Sequence, residues 1–168
     1  AFVHAYLAAG TGQGEAMKRN EAAYADIHLM PQFLRGRVTP DTHCSVFGKT
    51  YSAPFGVSPI GLQSLIWPGA EKILCRAAAD AGIPYTLSTV AGEDIETIGP
   101  LSDGHGWFQL YAPNDHGVMR DLLARAKQAG FTTLVLTADV PGPSRREDMR
   151  LAGAPLGSRT PMSITPVS

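Results

Sequence analysis

The sequence has few cysteines and no metal-ligand cluster, which excludes zinc-stabilised and disulfide-stabilised classes of protein. Only two of its 168 residues are cysteine, Cys44 and Cys75. Neither belongs to a CxxC pair or has histidines at metal-ligand spacing, so neither a structural zinc site nor a disulfide scaffold is predicted. We expect two reduced, inert thiols in a cytosolic protein.

The sequence also lacks an excess of positive or negative charge, and it has no long apolar run. Lys and Arg total 14 and Asp and Glu total 15, so the net charge is −1. Nucleic-acid binding through a broad basic surface is therefore excluded as the main activity, because such binding needs an excess of positive charge. The longest apolar run, 132–138, falls far short of the roughly 20 residues that a membrane span needs. No leader with a charged and an apolar region is visible, so no signal peptide is predicted.

Strands and helices alternate along most of the chain. Residues 1–30 are predicted to be helical, and residues 44–51 to form a hairpin. The sequence after residue 53 predicts strands over 54–59, 84–88, 107–111 and 132–137, and helices over 71–81, 94–98 and 118–129. This alternation indicates βαβ units and a parallel α/β sheet. The predicted divisions are an N-terminal helical segment with its lid or edge hairpin, 1–53, and four βα units, 54–168.

Two architectures fit four consecutive βα units: a doubly wound sheet and half of an eight-stranded (β/α)8 barrel. A doubly wound nucleotide-binding sheet needs a glycine-rich phosphate loop, but Gly61 stands alone and no GxGxxG or GxxxxGK[ST] motif occurs. The barrel is therefore favoured, with its functional face at the carboxyl ends of the strands. Polar residues follow or end the predicted strands there, namely Ser58, Ser88, Gln109, Tyr111, Thr137 and Asp139.

Four stretches, in this order and spacing, resemble the FMN-dependent α-hydroxy-acid dehydrogenase and oxidase family, which includes mandelate dehydrogenase, L-lactate dehydrogenase and glycolate oxidase. They are SPIGLQSLIWPGAE, GIPYTLST, GWFQLYAP and FTTLVLTADVPGPSRREDMR. The resemblance runs from Tyr6 to about residue 156. It implies the N-terminal half of a TIM barrel and the oxidation of an L-2-hydroxy acid to a 2-oxo acid with FMN as cofactor.

The resemblance implies a role for each matching residue. The backbone of Pro59, Ile60 and Gly61 would lie against the flavin. The side chains of Ser88, Gln109 and Thr137 would bind the polar edge of the flavin ring. The substrate would contact Tyr6, Tyr111, Arg146, Gly61 and Val90. Tyr111, Asp139 and Arg146 would act in catalysis, with Asp139 supporting the catalytic histidine.

Five of these residues also have a structural explanation. Asp139 could cap a helix or belong to a loop, and Gln109 and Tyr111 could be buried polar groups with partners. Arg146 lies in a charge cluster that solvent could cover. Tyr6 could be a core aromatic residue.

Gly61 and Val90 bear on substrate size. Glycolate oxidase has alanine and tryptophan at the matching positions, so this chain has less bulk there. The extra volume favours an aromatic or larger acid such as (S)-mandelate over glycolate. L-lactate is the alternative substrate.

The family's lysine, its HGxR histidine and arginine, and its phosphate-binding segments have no counterpart in this sequence. None of the five histidines lies in a matching motif. We therefore expect the C-terminal half of the same barrel as a partner that supplies the catalytic histidine.

Other functions stay open at this point: a non-oxidative FMN-barrel enzyme, a non-catalytic half-barrel fragment or interaction module, and, more distantly, a doubly wound nucleotide-binding protein. The electron acceptor would be oxygen, a quinone or a cytochrome. The resemblance also implies a homotetramer, cytoplasmic or membrane-associated.

Overall fold

A computed structural model describes residues 2–37, 39–138, 146, 147 and 151. The chain divides into two compact units. One contains the described residues before 39 and after 138, and the other is Thr39–Ala138. The domain division predicted at residue 53 stays a prediction.

The first unit contains two short helices, α1 (Phe2–Ala8) and α2 (Glu15–Ala23). A 3-10 turn, Tyr24–Asp26, follows α2. The predicted helical region is interrupted because Gly12 and Gly14 adopt left-handed backbone conformations, with φ of 61° and 78°. Such angles end a helix and suit glycine, which has no Cβ to clash.

The predicted hairpin is confirmed as antiparallel strands β1 (Cys44–Val46) and β2 (Lys49–Tyr51). Its two-residue turn, Phe47 and Gly48, has positive φ at both positions, 51° and 78°. This is the pattern of a type I′ turn, whose twist matches that of the strands it joins.

The centre of the second unit is a parallel sheet in the order β3 (Tyr85–Ser88), β4 (Gly106–Leu110) and β5 (Thr133–Leu136). The helices of this unit are α3 (Gln63–Ile66), α4 (Ala70–Asp80), α5 (Ile95–Leu101) and α6 (His116–Gln128). The predicted alternation of strands and helices after residue 70 is confirmed to within a few residues at each boundary. The α/β class is correct, and α3 was not predicted.

The strand predicted over 54–59 is wrong in extent. Only Val57 pairs with the sheet, through a single bridge to Tyr85. The Val57 N–H donates to the carbonyl of Pro84 at 2.8 Å, and its own carbonyl accepts from Thr86 at 3.0 Å. The prolines at 54 and 59 have no N–H to donate, so the pairing does not extend to them.

The core lies between the sheet and its helices. It is built from apolar side chains that are at most 8% exposed: Cys75, Ala78, Tyr85, Leu87, Ile95, Ile98, Phe108, Leu110, Ala126 and Phe131. Burial raises the pKa of the Cys75 thiol to about 11, in keeping with an inert thiol. Among the described residues, none of the helices has the length and apolarity to cross a membrane.

Candidate functional site

Three polar residues meet at the carboxyl edge of the sheet, where the sequence predicted them. Ser88 is the last residue of β3 and pairs in register with Gln109 of β4. Thr137 follows β5, and its N–H donates to the carbonyl of Leu110 at 3.1 Å. Parallel pairing thus brings Ser88, Gln109 and Thr137 side by side, although they are far apart in sequence.

The side chain of Gln109 joins these residues into one hydrogen-bonded row. The Ser88 hydroxyl donates to Gln109 Oε1 at 3.1 Å, and Gln109 Nε2 donates to Thr137 Oγ1 at 2.8 Å. Gln109 is only 2% exposed and Ser88 5%. Buried polar groups with partners have fixed orientations, so this row is preorganised for a polar ligand edge.

Gly61 and Val90 pack against each other beside this row. A Cβ added at Gly61 would lie 2.6 Å from Val90 Cγ2 and 3.8 Å from Ser88 Oγ. The Leu62 N–H donates to the Val90 carbonyl at 2.9 Å, which joins the two loops. This approach is therefore possible because residue 61 has no side chain.

Thr89 is a polar residue of the same edge to which the sequence analysis gave no role. Its hydroxyl donates to the Gln109 carbonyl and accepts from the Tyr111 N–H at 3.0 Å. The Thr89 N–H also donates to Gln109 Oε1 at 3.2 Å. Thr89 thus ties Tyr111, a residue that is 44% exposed, to the row.

The remaining predicted site residues lie in different surroundings. Pro59 and Ile60 are exposed in the loop before Gly61. Tyr6 is half-buried on α1, and Arg146, also half-buried, forms a parallel bridge with Gly12 in the same unit. Asp139 lies outside the described residues.

A buried carboxylate and a buried amide near this edge were missed by the sequence analysis. Glu71, in the first turn of α4, is fully buried, and Gln63 of α3 is 3% exposed. The Tyr85 hydroxyl lies 3.4 Å from Gln63 Oε1, while Gln63 Nε2 has no hydrogen-bond partner in the described part of the chain. Burial and the nearby Glu71 charge raise the pKa of Tyr85, so its phenol stays neutral. A charged residue in a helical first turn resembles a solvated one in sequence, which is why Glu71 gave no signal.

Comparisons with known proteins agree with this geometry. The curated relatives include an L-lactate dehydrogenase of Xanthomonas campestris pv. campestris (strain B100), 41% identical over 145 residues. That match covers 86% of this chain and 38% of the relative. An L-lactate dehydrogenase of Xanthomonas oryzae pv. oryzae (strain PXO99A) is 39% identical, with 37% of its length covered. The chain thus spans well under half the length of these relatives.

Solved structures of mandelate-oxidising enzymes have the same fold over this chain. A mutant of an active chimera of (S)-mandelate dehydrogenase matches with a TM-score of 0.85 and 31% identity, over 93% of this chain and 44% of that one. A mandelate oxidase mutant with (S)-mandelic acid matches with a TM-score of 0.84 and 33% identity, over 94% and 47%. The profile of the FMN-dependent dehydrogenase family matches residues 1–166. The chain therefore belongs to the FMN-dependent dehydrogenase family.

Proposed function

We propose that this chain is part of an enzyme that oxidises an L-2-hydroxy acid to the 2-oxo acid with FMN. The observation that carries the proposal is the row of Ser88, Gln109 and Thr137 at the carboxyl edge of three parallel strands. Active sites of (β/α)8 barrels lie at this edge. We further propose that the described strands belong to the first half of such a barrel.

The donor set of the row suits the polar edge of an isoalloxazine ring, where acceptors and donors alternate. A glutamine amide has two N–H donors, and the bond to Thr137 uses one of them. The Thr137 hydroxyl accepts in that bond and can still donate its own proton. The backbone of Pro59, Ile60 and Gly61 would face the ring beside this edge. Bound FMN supplies the two-electron acceptor that these side chains cannot provide.

Other residues would bind and orient the hydroxy acid, as the resemblance implies. Tyr111 would place its phenol near the substrate hydroxyl. Arg146 and Tyr6 would bind the carboxylate, and a guanidinium suits it because its paired N–H groups match the two oxygens. Asp139 would stabilise the protonated form of the histidine that removes the substrate proton.

We propose that this histidine comes from the C-terminal half of the same barrel, which the present sequence does not contain. The supporting observation is coverage, since the chain spans 38% of a curated relative and 44% of a structural neighbour. The complete enzyme would be a cytoplasmic or membrane-associated homotetramer that passes electrons to oxygen, a quinone or a cytochrome.

The preferred substrate would be an aromatic or larger acid such as (S)-mandelate. The support comes from the sequence resemblance, in which Val90 is smaller than the tryptophan at the matching position of glycolate oxidase. Gly61 itself adds no open volume, because Val90 Cγ2 occupies the space beside it. L-lactate is the second candidate, and it is favoured by the 41% identity to an L-lactate dehydrogenase.

An anaerobic titration of the full-length protein tests the proposal. The visible spectrum is recorded before and after addition of (S)-mandelate, and L-lactate is added in a parallel sample. We expect a flavin band that mandelate bleaches faster than lactate. Faster bleaching by lactate would keep the reaction and replace the substrate. A protein without bound flavin, or a flavin that neither acid reduces, would overturn the function and favour a non-catalytic module.

A further inference from the structure

Glu71 is a buried titratable group that the proposed reaction does not use. Glu71 is 0% exposed, although carboxylates are almost never fully buried unless they are paired. In the described part of the chain its partners are hydrogen-bond donors. The Ser64 hydroxyl donates to Oε2 at 2.5 Å, and the N–H groups of Ser64 and Gly92 donate to Oε1 at 3.3 and 2.9 Å.

These donors belong to two different segments, because Ser64 lies in α3 and Gly92 lies in the loop between β3 and α5. Ser64 lies three residues after Gly61, and Gly92 lies two residues after Val90. The carboxylate therefore ties the segment that begins at Gly61 to the segment that contains Val90. Both segments border the hydrogen-bonded row.

The two segments, 61–64 and 90–92, approach each other so closely that a small displacement changes their contact. A Cβ at Gly92 would lie 2.8 Å from Ser64 Cβ, in addition to the 2.6 Å approach between a Cβ at Gly61 and Val90 Cγ2. Both distances are shorter than any normal contact of a side chain. Close-packed regions of this kind transmit a shift at one contact to the next.

We propose that Glu71 is a specificity-determining positioning residue, which fixes how closely Val90 approaches Gly61 and thereby the size of the hydroxy-acid side chain that is accepted. The inference deepens the proposed function and rests on it. Glu71 acts through these two segments and touches neither the substrate nor the cofactor.

The test compares two variants at position 71 in the full-length holoenzyme. Glu71→Leu keeps a similar volume but accepts no hydrogen bonds, whereas Glu71→Gln keeps Oε1 as an acceptor for both backbone N–H groups. The readout is kcat/KM for glycolate, L-lactate and (S)-mandelate. Ratios among the three acids do not depend on the fraction of enzyme that is correctly folded.

We expect Glu71→Leu to reduce the discrimination between the preferred and the least preferred acid about tenfold, the effect of roughly one methylene in a pocket. Glu71→Gln should keep the ratio of kcat/KM values close to that of the wild type. Glu96→Gln is the control. It removes an exposed carboxylate on α5 whose Oε1 lies 2.7 Å from Nε of Arg125 on α6, and it should leave the ratio unchanged.

Equal loss for all three acids in Glu71→Leu would show a structural role only and overturn the inference. So would a wild-type enzyme that does not discriminate among the acids. If Glu71→Leu does not fold, Ser64→Ala removes the hydroxyl bond alone, and an unchanged ratio in that variant would equally overturn it. Failure of the proposed function is distinct, because then no acid reduces the wild-type flavin.

Discussion

The packing of Gly61 against Val90 predicts that substitutions at these positions are strongly coupled. In Gly61→Ala the new Cβ would lie 2.6 Å from Val90 Cγ2, where ordinary contacts are 3.4–4 Å. The next atoms, the Val90 carbonyl oxygen and Ser88 Oγ, would be 3.6 and 3.8 Å away. The strain therefore falls on one methyl group, which must move by about 1 Å for ordinary contact.

The magnitude follows from this geometry. Overpacking of this kind lowers the free energy of unfolding by about 1–3 kcal/mol. Val90→Ala removes two half-buried methyl groups and costs about 1 kcal/mol. In the double variant the methyl group added at position 61 occupies the space that the valine methyl groups leave, so the costs should not add. We expect a favourable coupling of about 1–2 kcal/mol between the two substitutions.

Equilibrium urea denaturation of the wild type, both single variants and the double variant measures this coupling. Val118→Ala, on the exposed face of α6, provides a matched control, and its combination with Gly61→Ala should be additive. A Gly61/Val90 pair that is additive to within about 0.5 kcal/mol would refute the packing argument.

Three further predictions concern single residues. Gln109→Leu leaves the hydrogen-bond partners of a residue that is 2% exposed without Gln109. We therefore expect a loss of about 2–3 kcal/mol in unfolding free energy and less bound flavin per polypeptide. Gln128→Leu, on an exposed position of α6, should change neither, and equal effects of the two substitutions would contradict the role of the row. Tyr111→Phe should slow anaerobic flavin reduction in stopped-flow measurements with FMN still bound, and unchanged kinetics would remove Tyr111 from the site. Burial opposes ionisation of Glu71, but hydrogen bonds from Ser64 and Gly92 outweigh it and lower its pKa below the ordinary 4.5. Its stability advantage over Glu71→Gln should therefore be full above pH 4.5 and decline as the pH falls through the folded-state pKa. Denaturation from neutral to acid pH measures this difference, and a pH-independent difference would contradict it.

Local sequence patterns predicted most of the second unit because its elements satisfy local rules. The helix from Ala70 to Asp80 has an apolar face at helical spacing, and Gly82 follows it with φ of 65°. The strands are short apolar runs between breakers, so their positions followed from composition. The segment 54–59 met the same local criteria and still formed only one bridge. Pairing depends on which N–H groups meet a partner strand, and the apolar pattern does not report that.

The sequence by itself determined the α/β class, the hairpin, and the identity of the polar residues at the strand ends. Those features depend on neighbours within a few residues or on the order of strands and helices. Only the tertiary structure decided that Gln109 joins Ser88 to Thr137, that Val90 packs on Gly61, and that Glu71 is a buried link between α3 and the loop after β3. Each of these contacts spans between 7 and 29 residues of sequence. They arise because parallel pairing and loop packing bring distant segments together, which no local pattern specifies.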